Sequence, residues 1–211
     1  MTEDSNPEVT PDAAIAACVA AHRRVIATAE GIDDATARRP SRLPDWTVGH
    51  VLTHIARNAD GHTLRLEGAL RGEDLPRYLG GERERDSQIE LGAGRSAKEL
   101  AADVAGSAHR LEEVWSRSAR AGWPNSHFLG TDKFTTSGSP LRRLREVEVH
   151  HVDLGLGFEP SDWSDLYTGW ELRHSLNRLP QRLSPADARR VLAWLTGRAA
   201  LPADLALGPW M

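Results

Sequence analysis

The 211-residue chain has a single cysteine, Cys18, and only two lysines, Lys98 and Lys133. One thiol excludes an intrachain disulfide and any metal site built from several thiolates. It also fits a reducing compartment, and a cytoplasmic location is expected. No apolar run approaches the roughly 18–20 residues that a membrane span needs. The first residues, Met1-Thr-Glu-Asp-Ser-Asn-Pro-Glu8, are acidic and polar, the opposite of a secretory signal, and residues 1–10 read as a disordered leader. There is no glycine-rich phosphate loop, no nucleophile elbow and no internal repeat. The formal net charge of −4 provides no attraction to nucleic acid or to an anionic membrane.

What the chain does have is helical periodicity. Pro11 and Asp12 open a first helix that carries Ile15, Val19, His22 and Ile26 as its expected inner face and stops at Gly31. A second helix is predicted from about Thr47 to Leu70, capped by Asp45 or Thr47 and lined by Val48, Val51, Leu52, Ile55 and Ala59. Residues 72–95 are charged and glycine-rich, and read as a working loop or a short helix between loops. Ser96-Ala-Lys-Glu99 is a capping box for a third helix with Leu100, Val104, Leu111, Val114 and Trp115 inside. Residues 121–138 hold the one passage of strand-like composition. Ser139-Pro140 opens a fourth helix that ends at Gly155 or Gly157. The expected fold is mainly α, an up-and-down four-helix bundle over residues 11–157, followed by a small appendage over residues 158–211. In that appendage one helix is predicted from about Ser161 to Arg178 and another from Ser184-Pro185 to Gly197.

Two stretches carry chemistry. On the second helix His50 and His54 stand one turn apart; on the fourth, Glu146 and His150 do the same, with Asp153 one turn further on. Two helices packed side by side would bring His54, Glu146 and His150 to one point. Two imidazoles and a carboxylate with an open fourth position form the ligand set of a catalytic zinc site. Val147, Val149 and Leu154 surround the pair on the fourth helix, so its polar groups need a reason to turn inward. The other histidines, the helix-face carboxylates Glu67, Glu112 and Glu113, and Arg142, Arg143 and Arg145 read as solvated or ordinary structural residues. The tryptophans read as core and interface fillers.

Leu43-Pro-Asp-Trp-Thr-Val-Gly-His-Val-Leu-Thr-His54 resembles the first signature of the mycothiol-dependent maleylpyruvate isomerase family, within the wider DinB-like metalloenzyme superfamily. Arg145-Glu-Val-Glu-Val-His-His-Val-Asp-Leu-Gly155 resembles its second signature. Trp194-Leu-Thr-Gly-Arg198 and Leu207-Gly-Pro-Trp210 are similar to the family's C-terminus. The resemblance implies that His54, Glu146 and His150 bind zinc or another divalent metal, that mycothiol is the thiol cosubstrate, and that Arg198 helps to bind a carboxylate on a small electrophile. Asp153 stands as a further catalytic candidate. Members of this type carry a longer α/β C-terminal domain than the segment that follows the bundle here.

A thiol with a pKa of about 8.5 is mostly protonated at pH 7, and a bound zinc deprotonates it. The thiolate then adds to an activated double bond; rotation and expulsion make an isomerase, and retention of the adduct makes an S-transferase. The alternatives are a hydrolase with a zinc-bound water, for which Asp153 or His50 is the available base, and a DinB-like protein that binds metal without catalysis. A monomer or small homo-oligomer is expected, with neither nucleic acid nor membrane as partner.

Overall fold

The computed structural model describes residues 9–124, 135–200 and 202–205. Residues 1–8 of the expected leader, most of the strand-like passage and Leu207–Trp210 lie outside those residues. Among the described residues there are eight α-helices and no β-strand. They are α1 (Pro11–Glu30), α2 (Asp34–Ala37), α3 (Val48–Leu70), α4 (Gly81–Ala93), α5 (Ala97–Arg120), α6 (Ser139–Asp153), α7 (Asp165–Arg182) and α8 (Pro185–Leu195). The chain forms two compact units, Met1–Tyr167 and Thr168–Met211, with the boundary in the first turn of α7. None of the described helices is long and apolar enough to cross a membrane.

The first unit is a four-helix bundle of α1, α3, α5 and α6. Helices α3 and α1 each pack on both α5 and α6. Helices α1 and α3, consecutive long helices in the chain, therefore stand across a diagonal, as do α5 and α6. The centre is filled by Leu52, Ile55, Leu100, Leu111, Trp115 and Leu144, all at most 1% exposed.

Local signals account for most helix starts. Thr47 caps α3, and its backbone N–H is returned to His50 Nδ1 at 3.1 Å, a reciprocal capping box. Asp45, the other candidate cap, instead takes a left-handed turn conformation (φ 62°), which a short polar side chain tolerates. Ser96 and Glu99 form the expected box on α5. The cap of α1 is Thr10, with Pro11 in the first turn, so Asp12 lies inside the helix. On α6 the cap is Gly138, and Ser139 and Pro140 occupy the first two helical positions.

Two expectations fail. The inner face of α1 is Ala14, Cys18, Ala21, His22, Val25 and Ala29; Ile15, Val19 and Ile26 are only partly covered. Hydrophobic residues fill two neighbouring stripes of α1, and the small ones face inward, where the partner helices come close. Arg143, expected on a wet flank with Arg142 and Arg145, is fully buried. Its Nε donates to His22 Nε2 at 3.1 Å, and its Nη1 donates to the Ile55 carbonyl and to Asn58 Oδ1, both at 2.9 Å. A buried guanidinium needs such acceptors, and they come from helices distant in sequence.

The charged stretch before α5 contains a full helix. Helix α4 packs on α3 through glycines. A Cβ at Gly49 would lie 2.2 Å from the Ala93 carbonyl oxygen, and one at Gly92 would lie 2.5 Å from Thr53 Cγ2. That close approach brings α4 side chains to the level of His54.

The second unit holds most of α7 together with α8. Ser184 caps α8 and Pro185 opens it, as its sequence implies. Helix α7 starts later and ends later than expected, running through Pro180 to Arg182.

Candidate metal centre

Helices α3 and α6 lie against each other, and their facing turns carry the candidate ligands. His54 Nε2 is 3.3 Å from Glu146 Oε2, and His150 Nε2 is 3.6 Å from the same oxygen. One donor atom from each residue falls within 4.8 Å of the others. The imidazole rings of His54 and His150 meet edge to face, with centroids 4.5 Å apart. Tetrahedral zinc with bonds of about 2.0–2.1 Å places its ligand atoms about 3.3 Å from one another. The donor set and its spacing therefore fit a divalent metal, and two neutral imidazoles with one carboxylate suit zinc.

The surroundings support that chemistry. His54, Glu146 and His150 are at most 9% exposed. Burial raises the pKa of Glu146, but hydrogen bonds from His150 and His54 outweigh it and hold the carboxyl well below its ordinary range. Burial lowers the pKa of His54 below the usual imidazole value, against the hydrogen bond to Glu146. Burial also opposes charge on His150, but Asp153 and Glu146 prevail and raise its pKa to about 9. Asp153 and Glu146 thus favour positive charge at this point.

Asp153 reaches the centre through His150, with Oδ2 2.8 Å from His150 Nδ1. This carboxylate–imidazole contact leaves Nε2 directed at the common point. The Asp153 carbonyl accepts the Arg42 backbone N–H at 2.8 Å, tying the loop before α3 to the end of α6. The same loop sets Trp46 against His54, with ring centroids 5.6 Å apart. His50 is not among the converging groups: its Nδ1 serves the α3 cap and its Nε2 faces Glu90 at 3.5 Å. Arg198 belongs to the second unit, is exposed, and donates from Nη1 to the Thr196 carbonyl.

Three residues of the first unit were not singled out by sequence. Arg85 of α4 places Nη2 3.5 Å from His54 Nδ1. Tyr78, in the connection before α4, has a buried hydroxyl without a hydrogen-bond partner among the described residues. Arg143 lies one turn before Glu146. Only the long span of arginines and glycines in residues 72–95 hinted at the first two.

A helical bundle whose two facing helices present two histidines and a glutamate defines the class of protein. The profile of the mycothiol maleylpyruvate isomerase N-terminal domain family matches residues 18–155, and the chain belongs to that family. A crystal structure of the mycothiol-dependent maleylpyruvate isomerase shares the fold at a TM-score of 0.69 and 24% identity, over 75% of this chain and 66% of that one. The structure of a histidine-to-alanine mutant of that isomerase gives a TM-score of 0.69 at 23% identity, over the same shares. This chain thus spans 66% of the length of those solved proteins. No curated protein matches it.

Proposed function

We propose that the chain is a divalent-metal enzyme, zinc being the first choice, that uses mycothiol against a small electrophile carrying a carboxylate. Its reaction is cis–trans isomerisation, or S-transfer where the adduct is kept. The observation that carries this reading is the convergence of His54, Glu146 and His150 in a buried site. Family membership supports mycothiol as the thiol and isomerisation as the reaction.

His54, Glu146 and His150 would hold the metal, and bound there it supplies a Lewis acid that keeps a thiol in its reactive thiolate form. Glu146 keeps its carboxylate ionised and ready to ligate. Asp153 holds the His150 proton on Nδ1 and thereby frees Nε2 for ligation. Trp46 covers one side of His54 and limits water there. Arg198 is assigned to a substrate carboxylate by its match to the family's C-terminus.

The chain has no thiol of its own for this chemistry, because burial pushes the pKa of Cys18 far up. The hydrolase reading is less favoured, since it needs a general base beside the centre. Asp153 is engaged by His150, and His50 by Thr47. Metal analysis tests the proposal. Purified protein should hold close to one zinc per chain, and His54→Ala, Glu146→Ala and His150→Ala should each lose most of it. Full metal content in all three variants would refute the site.

A further inference from the structure

The metal centre is nearly closed. His54, Glu146 and His150 are at most 9% exposed, yet the proposed cosubstrate is a thiol far larger than a water molecule. A ligand of that size reaches the common point only if part of the wall moves. Two segments outside the bundle helices meet His54: the loop that carries Trp46, and helix α4 with Arg85. The loop is fixed. The Arg42 N–H donates to the Asp153 carbonyl at 2.8 Å, and the Val48 N–H donates to the Arg39 carbonyl at 3.0 Å. The Ser41 N–H and hydroxyl both donate to the Trp46 carbonyl at 2.8 Å.

Helix α4 is held unevenly. Its last turns are seated: Ile89 is 1% exposed, and Gly92 and Ala93 are buried against Thr53 and Gly49 of α3. The connection ahead of α4 is seated too. A Cβ at Gly61 would lie 2.5 Å from Arg77 Cγ, and one at Gly68 would lie 2.8 Å from Leu75 Cγ. Between these two anchors none of residues 81–88 is buried. Several of their side-chain bonds stay local: Gln88 and the Gly80 N–H donate to Glu84, and Arg85 pairs with Asp86. Arg85 reaches α3 through a contact of 3.5 Å with His54 Nδ1, beyond the usual range of a hydrogen bond. Gly80 stands at the cap position and offers no side-chain cap. Few buried contacts and an uncapped start mark a segment that opens locally at low cost. Gly81, at the junction of the seated connection and the unseated turns, has φ 68°, a left-handed conformation that glycine takes freely.

We infer that residues 81–88 form a gate over the metal centre, pivoting at Gly81 and at the seated turn of Ile89, and that its opening admits the thiol and the electrophile. The inference rests on the proposed metal site. Closed, the gate keeps Arg85 beside His54 and shields the centre from water, as lids over reactive sites do. Opening disturbs turns of helix that bury no side chain, so the four bundle helices stay in place.

Two measurements on the zinc-loaded full chain test this. Gly81→Ala strains the closed gate, because an L-residue is disfavoured at positive φ, while the new methyl meets nothing within 4 Å. Relief of that strain should favour the open form about tenfold. The amides of residues 85–88 should therefore exchange with deuterium about tenfold faster than in wild type. Extraction of zinc by sub-saturating EDTA should accelerate by the same factor, since both readings follow one opening equilibrium. Gly72→Ala carries similar strain at φ 75°, again with nothing within 4 Å, but lies outside the gate, and it should match wild type in both. Faster exchange with unchanged zinc extraction would mean that the helix end frays without gating the centre. That result, unchanged exchange in Gly81→Ala, or equal acceleration in Gly72→Ala overturns the gate while leaving the metal site standing. A chain that takes up no zinc overturns the metal reading, and this inference with it.

Discussion

Asp153 Oδ2 lies 2.8 Å from Nδ1 of His150, one turn along the same helix, while the Asp153 backbone carbonyl receives Arg42. One residue thus orients the ring of a candidate ligand and ties down the loop that carries Trp46. Losing a carboxylate that orients a metal-bound histidine typically costs 10–100-fold in metal affinity. Asp153→Ala should show a loss of that order in zinc competition against a chelator, with the fold retained. Unaltered affinity would mean that His150 needs no orienting partner.

The contact of α3 with α4 gives a stability test. Alanine is favoured over glycine inside a helix by about 1 kcal/mol, so propensity alone would make Gly49→Ala stabilising. The clash of the new methyl with the Ala93 carbonyl should dominate, because a backbone oxygen cannot swing aside. Overpacking of this kind costs about 1–3 kcal/mol. Urea denaturation should show a net loss, and a gain would contradict the close approach of the two helices.

His22 sets an acid limit. Burial lowers its pKa from 6.5 to about 4, against the hydrogen bond to Glu112 and together with the charge of Arg143. Between those values the unfolded chain binds more protons than the folded one, so stability rises with pH. The contribution is complete above pH 6.5 and is lost as the pH falls toward 4. It amounts to something on the order of 3 kcal/mol, at 1.36 kcal/mol per pKa unit. His22→Gln keeps an acceptor for Arg143 and a donor for Glu112 but cannot titrate. Its denaturation midpoints should fall less than those of wild type between pH 6.5 and 4.5. Equal slopes would show that His22 is not the responsible group.

Cys18 should be inert. Its sulfur is buried 3.8 Å from His22 Nε2, and a buried thiol with a raised pKa presents almost no thiolate. The folded chain should resist a disulfide reagent that labels it rapidly in urea. Cys18→Ala should keep thiol-dependent turnover near the wild-type rate. A large loss of turnover, with fold and metal intact, would place the nucleophile inside the protein.

How far the sequence could be read depended on how local each determinant was. Glu146 and His150 share one helix whose start was marked by Ser139-Pro140, so their common direction followed from spacing. The caps at Ser96 and Ser184 were legible for the same reason. The meeting of His54 with Glu146 spans 92 positions and was an assumption about helix packing until the structure placed α3 on α6. Arg143 looked like a surface residue because its acceptors, His22, Asn58 and the Ile55 carbonyl, come from two other helices. Ile15, Val19 and Ile26 drew the reading of α1 to the wrong stripe, since bulk marks a buried face poorly where small residues permit closer packing. Arg85 sat in a charged stretch without periodicity, and only the glycine-mediated packing of α4 on α3 brings it to the centre.

The central claim is that His54, Glu146 and His150 hold a metal with a position open to an outside thiolate. Cobalt substitution followed by addition of mycothiol tests it most directly, because sulfur ligation adds a near-ultraviolet charge-transfer band that oxygen ligation lacks. The expected result is one cobalt per chain, a new band saturating at one thiol per metal, and release of protons on binding. A cobalt spectrum unmoved by mycothiol, in protein with a full complement of metal, would contradict the account.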